Sequence, residues 1–394
     1  MREPHEQSFI VFSDDWGRHP SSCQHLFRQL IPRHPTWWVN TIGMRRPRLD
    51  LATFRRAFEK LMHWTRKKST PKSGPPPENL HVSSPRMWPW FRSRLSRRIN
   101  RGFLSRHLRR LANEIQGEPV VVTTIPIVAD LISVFPQWRW VYYCVDDFGV
   151  WPGVDQIAMQ RMEEKLIAEC HELIAVSDTL MTKLKQTGRP VHLLTHGVDL
   201  DHWKLPEAGT IPELEGLERP LIVFWGVVDR RMDVSWVHAL ADSLDSGTVV
   251  LVGPQANPDP KLLSPSRVVH VPPMAFEQLP ILAREASVLV MPYADLPVTH
   301  AMQPLKLKEY LATGKPTVVR DLPSNREWAD CMDMVSTSDA FIDAVRQRLR
   351  DGVPSEQTQA RTRLQSEGWK AKAEQLREWA VKADQLPDSS SYRC

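Results

Sequence analysis

At 394 residues, with 42% hydrophobic and 25% charged side chains, the chain exceeds one ordinary core and suits two domains of about 200 residues each. The net charge of +5 is uneven: residues 1–205 carry 30 Lys and Arg against 20 Asp and Glu, and residues 206–394 carry 21 against 26. An anionic partner therefore belongs to the first half, a membrane surface or phosphate-bearing acceptor as readily as a nucleic acid. Cys23, Cys144, Cys170, Cys331 and Cys394 have neither disulfide-framework nor zinc spacing. No segment approaches the roughly 20 apolar residues of a membrane span, and the run 9–12 is too short for a signal-peptide core. The expectation is a cytoplasmic protein, soluble or peripheral at the inner face of the membrane.

In chain order, residues 9–12 read as a buried strand, 13–22 as a loop and 24–30 as an amphipathic helix. A second strand is expected at 37–41, helical spacing runs through 51–66, and 69–79, with Pro75, Pro76 and Pro77, reads as an exposed loop. Phe91, Leu95, Ile99, Phe103, Leu104, Leu108 and Leu111 then fall at helical spacing among Arg92, Arg94, Arg97, Arg98, Arg101, Arg106, Arg109 and Arg110. This basic amphipathic helix, residues 91–111, has two readings. It packs one face on the sheet and solvates the other, or it lies on a membrane and brings the protein to a lipid-linked acceptor. Nucleic-acid binding is not expected, because few aromatics interleave with the arginines and no reading motif is present.

Strands are expected at 119–122, 140–145, 173–176 and 191–194, with helices between them. The second half repeats this grammar, with strands at 221–225, 248–252, 268–271, 288–291 and 317–319 and helices at 234–244, 279–285 and 305–313. Short continuous apolar runs alternating with helices predict an α/β chain of two doubly wound parallel sheets. Trp369, Ala373, Leu376 and Trp379 place a further helix within 356–382, and 387–394 reads as a disordered tail.

The most informative stretch is 303–319. Pro304 suits a first helical turn, Gly314 a stop, and Pro316 forbids continuation before the strand Thr317, Val318, Val319. Inside that helix, Glu309 can hold the two vicinal hydroxyls of a ribose. Lys306, three residues earlier, shares its helix face, and an exposed ion pair is the plain alternative.

This segment resembles the signature of the group-1 (family 4) glycosyltransferases of two-domain GT-B architecture. Three further stretches are similar to that family in the same order. His196-Gly-Val-Asp199 resembles the Asn-Gly-Val-Asp that closes the first domain, 221–226 the first strand of the second domain, and 287–293 the strand before the donor loop. The resemblance implies a GT-B fold: an acceptor-side Rossmann-like domain (1–203), a nucleotide-sugar donor domain (204–360) and a helix in 361–386 crossing back to the first. It implies a retaining hexosyltransferase without a metal or cofactor, moving sugar from a nucleotide diphosphate sugar to a glycan or lipid-linked acceptor in cell-surface polysaccharide or glycoconjugate synthesis. The family's fuller pattern has an acid eight positions before Glu309, where this chain has Ala301. A nucleotide-sugar epimerase and an inactive nucleotide-sugar-binding relative therefore stay open.

Ligands of doubly wound sheets sit at the carboxyl ends of the strands. After 221–225, the turn at Gly226 with Arg230 and Arg231 can meet a diphosphate. Gln303, Pro304 and Leu305 lead into the Glu309 helix, whose first amides can receive phosphate oxygens. Gly253 and Pro272 follow strands of the same domain and face the donor. In the first domain, Asp146 and Asp147 end a strand where an acceptor hydroxyl arrives, Asp146 being the better base; capping or a two-acid metal motif are the alternatives. His19, in the loop after the first strand, is a lesser catalytic candidate.

Overall fold

The computed structural model describes residues 7–17, 21–41, 77–151 and 154–381. The expected helix at 51–66, most of the loop at 69–79, His19 and the tail at 387–394 lie outside these residues.

The first sheet comprises β1 (Phe9–Ser13), β2 (Thr36–Asn40), β3 (Leu80–Ser83), β4 (Val120–Thr123), β5 (Arg139–Cys144), β6 (Glu172–Ala175) and β7 (His192–Leu193). Its order is β3-β2-β1-β4-β5-β6-β7, with every pairing parallel. Strands β1 and β4 are buried throughout, as sheets covered by helices on both faces require. The helices are α1 (Ser22–Leu30), α2 (Arg94–Ala112), α3 (Gln156–Glu169) and α4 (Asp178–Lys185). Each starts on a hydroxyl or carboxylate cap, from Ser21, Ser93, Asp155 and Ser177 respectively.

The second sheet repeats the plan with β8 (Leu221–Trp225), β10 (Thr248–Val252), β12 (Val268–Val271), β13 (Val288–Met291), β14 (Thr317–Arg320) and β15 (Asp333–Val335), while β9 (Val228–Asp229) pairs with β11 (Gln255–Ala256) beside it. Its order, β12-β10-β8-β13-β14-β15, reverses direction between β8 and β13, as the first sheet does between β1 and β4. These two reversals open the crevices in which a doubly wound fold holds ligands. Helices α5 (Val234–Ser243), α6 (Leu279–Glu285), α7 (Pro297–Ala301), α8 (Leu305–Ala312), α9 (Ser338–Asp351) and α10 (Ser355–Ala360) complete this half.

The last helix, α11 (Trp369–Val381), puts Trp369, Ala373, Leu376 and Ala380 into the core of the first sheet. There Arg139 Nε donates to the Ala380 carbonyl at 2.9 Å. The described residues therefore begin and end in the same core, with the second sheet's separate core between.

Helix α2 divides its apolar residues. Leu104, Leu108 and Leu111 face inward with Asn100, and Arg97 grips Asp130 with two hydrogen bonds of 2.8 and 2.6 Å. Leu95 and Phe103 instead point outward, 69% and 41% exposed. The helix starts at Arg94 rather than 91, leaving Phe91 buried ahead of it, and the six apolar positions within it span too wide an arc for one contact face. No helix among the described residues is long and apolar enough to cross a membrane.

Candidate active site

Two glycines shape the second sheet's crevice. Gly226 ends β8 with φ of 140°, and a Cβ there would lie 2.5 Å from Lys306 Cε; Gly253 ends β10 with φ of 136°, and its Cβ would lie 2.1 Å from the Gly226 carbonyl oxygen. Only glycine lets the two strand ends approach this closely. Above them lies a cavity of about 280 Å³, walled by Trp225, Gly226, Gly253, Pro254, Pro273, Met274, Phe276, Leu305, Lys306 and Glu309.

Helix α8 delivers Glu309 to that cavity. Gly314, with φ of 72°, lies beyond the helix end, and the first turn has no side-chain cap; the Leu307 amide donates to the Pro304 carbonyl at 3.2 Å, which leaves the Leu305 and Lys306 amides to meet an anion. Glu309 is 7% exposed. One contact is a long 3.4 Å hydrogen bond from the Trp225 indole N–H to Oε2. Burial pushes its carboxyl up to about 7, against the pull of Trp225 and Lys306. The Tyr310 hydroxyl accepts from the Trp225 amide at 3.0 Å, fixing α8 to the end of β8. Lys306 Nζ donates to the Tyr293 hydroxyl at 2.8 Å and lies 5.3 Å from the centre of the Phe224 ring. A buried acid and a tethered cation thus face the same apolar-walled cavity, an arrangement suited to a ribose and its phosphates.

A second pair of groups lies where the two halves of the chain meet. Arg231 is anchored by Asp229 Oδ1 at 2.9 Å, and its guanidinium lies 5.5 Å from the Trp151 ring centre and 5.8 Å from that of Tyr293. Asp146, half-buried at the end of β5, is pushed up to about 7 by burial, which outweighs the attraction of Arg231. A carboxyl near neutrality beside an anchored guanidinium can accept a proton from a hydroxyl brought between them.

The remaining sequence candidates fall elsewhere. Asp147 Oδ1 accepts from Lys183 Nζ at 2.8 Å and from the Gly149 amide at 3.0 Å, so it braces the loop after β5. Lys183 also binds Glu163 at 2.7 Å, and the Tyr142 hydroxyl donates to Glu163 at 2.8 Å. Gln303 is turned from the donor cavity: its Oε1 accepts from the His196 amide at 2.7 Å. Pro304 occupies the cap position of α8 rather than its first turn, and Leu305 reaches the cavity wall. Arg230 and Pro272 are exposed, and Pro273, one residue on, is the proline of that loop that reaches the cavity. His19 lies outside the described residues. Ala301 is buried against the first core, and its carbonyl accepts from Ser177 Oγ at 3.0 Å, so the position where the fuller pattern has an acid serves the domain junction. No group of three or more metal-ligating side chains forms among the described residues. Trp225 and Phe276 escape the sequence reading because a wall residue carries no spacing signal.

Two doubly wound sheets, each with its reversal of strand order, and a helix at 369–381 returning to the first core make this a GT-B fold. Solved structures share it over nearly the whole chain. Sucrose-phosphate synthase of Thermosynechococcus elongatus is 14% identical, covering 95% of this chain and 98% of its own, with a TM-score of 0.67. HepE of Anabaena, in complex with UDP-glucose, is 13% identical over 95% of this chain and 99% of its own, at 0.64. A trehalose-6-phosphate protein of E. coli bound with UDP-2-fluoro glucose is 10% identical over 96% of this chain and 100% of its own, at 0.67. In sequence, the chain is 30% identical over 212 residues to a protein provisionally named the teichuronic acid biosynthesis glycosyltransferase TuaH, from Bacillus subtilis (strain 168). That match spans 49% of this chain and about half, 53%, of the relative's length. No model of a known protein family matches the chain.

Proposed function

We propose that the protein is a glycosyltransferase that takes a hexosyl group from a nucleoside diphosphate carrier, with UDP as the carrier, and places it on a glycan or lipid-linked acceptor in cell-surface polysaccharide synthesis. The observation that carries this is Glu309, buried at the crevice of the second sheet with Lys306 beside it. The UDP-sugar complexes of like-folded proteins and the partial relative TuaH support it.

In this reading the ionised Glu309 accepts the two ribose hydroxyls, and the open amides of α8, Lys306 and Arg231 meet the diphosphate. The bond from the anomeric carbon to the diphosphate breaks, with its electron pair leaving on the phosphate. The acceptor oxygen bonds to that carbon, and its proton passes to Asp146. The cations stabilise the charge on the departing diphosphate, which in this proposal needs no metal. Retention at the anomeric carbon is the proposed course, to be read from the anomer in the product.

The test is thermal denaturation with UDP, GDP, ADP and UDP-sugars. A ligand at 100 times its dissociation constant adds about 2.7 kcal/mol to the stability of the domain that binds it. UDP and a UDP-sugar are expected to shift the melting curve; flat curves across the set refute the donor site. Incubation with UDP-sugar alone separates the epimerase alternative, which would convert the free donor.

Contact with a membrane surface is proposed for α2. Leu95 and Phe103, with Trp88 and Trp90 each 42% exposed, lie with Arg94, Arg98, Arg101, Arg106, Arg109 and Arg110 on or beside its outward face. Basic side chains among exposed aromatics and Leu suit the headgroup level of an anionic bilayer. Co-sedimentation with anionic but not neutral vesicles, lost in Leu95→Asp/Phe103→Asp, is expected. Equal sedimentation of the variant and the wild type refutes the contact.

A further inference from the structure

One residue before the donor carboxylate, Lys308 is 3% exposed yet does not line the cavity. Its Nζ donates to the His196 carbonyl at 2.7 Å and to Thr195 Oγ1 at 3.4 Å, and it meets Glu367 Oε2 at 2.5 Å. Lys372 closes on the same two groups, 2.9 Å from Glu367 and 3.1 Å from Thr195. These oxygens mark the junction at which the chain passes between its two cores. Val198 bridges to Gly368 and its amide donates to the Glu367 carbonyl at 2.8 Å. A Cβ on Gly197 would lie 2.8 Å from the Trp369 ring.

Chain 301–309 therefore alternates its allegiance. Ala301 and Gln303 hold the junction, Lys306 faces the cavity, Lys308 returns to the junction, and Glu309 faces the cavity again. Helix α8 has eight residues, too few to flex between adjacent side chains. A buried ammonium held by three oxygens resists displacement, because every bond it loses leaves a desolvated partner. Burial draws the Lys308 ammonium below its ordinary range, opposed by Glu367.

We propose that Lys308 is a positioning residue that couples occupancy of the donor cavity to the order of the interdomain junction. This rests on the donor reading of Glu309. When a ribose engages Glu309, α8 settles and the junction around His196 and Val198 tightens with it.

The experiment uses the full chain, UDP as ligand, and hydrogen exchange of the peptide spanning 194–199, whose His196 and Val198 amides donate to Gln303 and Glu367. In the wild type, UDP is expected to slow exchange there about fivefold or more, the lower end of ordinary coupling between sites. Lys308→Met and Glu367→Gln, which break the link from either side, should bind UDP within about threefold of the wild type and lose that slowing. A merely structural lysine would lower melting temperature without removing the UDP-dependent difference. Slowing that persists in both variants overturns the proposal, as does UDP binding by the wild type with no change at 194–199. Loss of UDP binding in the variants places Lys308 in the donor site instead and also overturns it. Absence of UDP binding in the wild type, visible in the same titration, removes the donor reading and this inference with it.

Discussion

Substituting Glu309 by Gln should make the free protein more stable while making it a poorer binder. Burial carries the carboxyl from its ordinary 4.5 to about 7, so the folded state holds the proton more tightly than the unfolded state. An acid raised in this way costs nothing below pH 4.5, costs progressively more as pH rises, and reaches its full penalty above pH 7. At about 1.4 kcal/mol per decade of proton affinity, the penalty at pH 8.5 is about 3 kcal/mol, and at pH 5 it is under about 1 kcal/mol. Gln keeps an acceptor for the Trp225 indole N–H and removes the charge. Thermal denaturation should therefore show the variant melting roughly 6–12 °C higher than wild type at pH 8.5, taking about 2–4 °C per kcal/mol for a domain of this size. The gap should shrink to about a third or less at pH 5. Calorimetric titration with UDP should show the reverse, a loss of about 2 kcal/mol, or roughly 30-fold, as a charge-assisted hydrogen bond becomes a neutral one. Wild-type affinity should fall about tenfold per pH unit below 7, because binding must first remove the proton. A melting difference independent of pH, or undiminished UDP affinity in the variant, refutes the reasoning.

Asp146→Asn should lower the rate of sugar transfer by about 100-fold or more at unchanged UDP affinity; in the wild type, kcat should rise with pH through about 7, where Asp146 gives up its proton. Equal pH profiles for the two proteins would show that another group takes the proton. Gly226→Ala forces a methyl within 2.5 Å of Lys306 at a φ of 140° and should displace that cation, weakening UDP binding about tenfold or more in calorimetry, with strain of about 1–3 kcal/mol. Gly253→Ala, whose methyl would meet the Gly226 carbonyl oxygen at 2.1 Å, should destabilise the second sheet by at least about 2 kcal/mol in urea denaturation.

The elements legible in the sequence were those whose signals are local. Strands β1, β8, β10 and β13 announce themselves as continuous apolar runs, since a parallel strand covered on both faces has no polar side to interrupt it. Helix α8 is bracketed by Pro304 and Gly314, and α4 by the Ser177 cap. The edge strand β3 is not legible because Leu80 alone of its four residues is buried, with His81 and Val82 exposed, beside a proline-rich stretch. Helix α9, capped by Thr337 and carrying Phe341, Val345 and Leu349 at helical spacing, has local signals too, though the elements expected from the sequence do not include it. In α2 the period is readable but the buried arc is not: helical spacing does not say whether Leu95 or Leu108 meets the sheet, and Asn100, clamping the Trp88 backbone, is buried beside the leucines although it is polar.

The candidate site divides along the same line. Gly226, Gly253, Lys306 and Glu309 could be found because strand ends and helix starts fix where a ligand sits, whatever the side chains. Gln303 and Lys308 could not, because their partners lie more than 50 residues away in sequence. The same helix that local rules describe best carries the two groups they describe worst, a buried acid and a buried lysine on successive residues. Helix propensity accounts for neither, and both lower stability unless something outside the helix holds them: Glu367 and the junction carbonyl for Lys308, a ligand for Glu309. On the proposed donor reading, Glu309 is thus the group whose environment is completed only on binding, and Lys308 the one completed on folding. A helix built in this way has a reason to be better ordered when the cavity is filled than when it is empty.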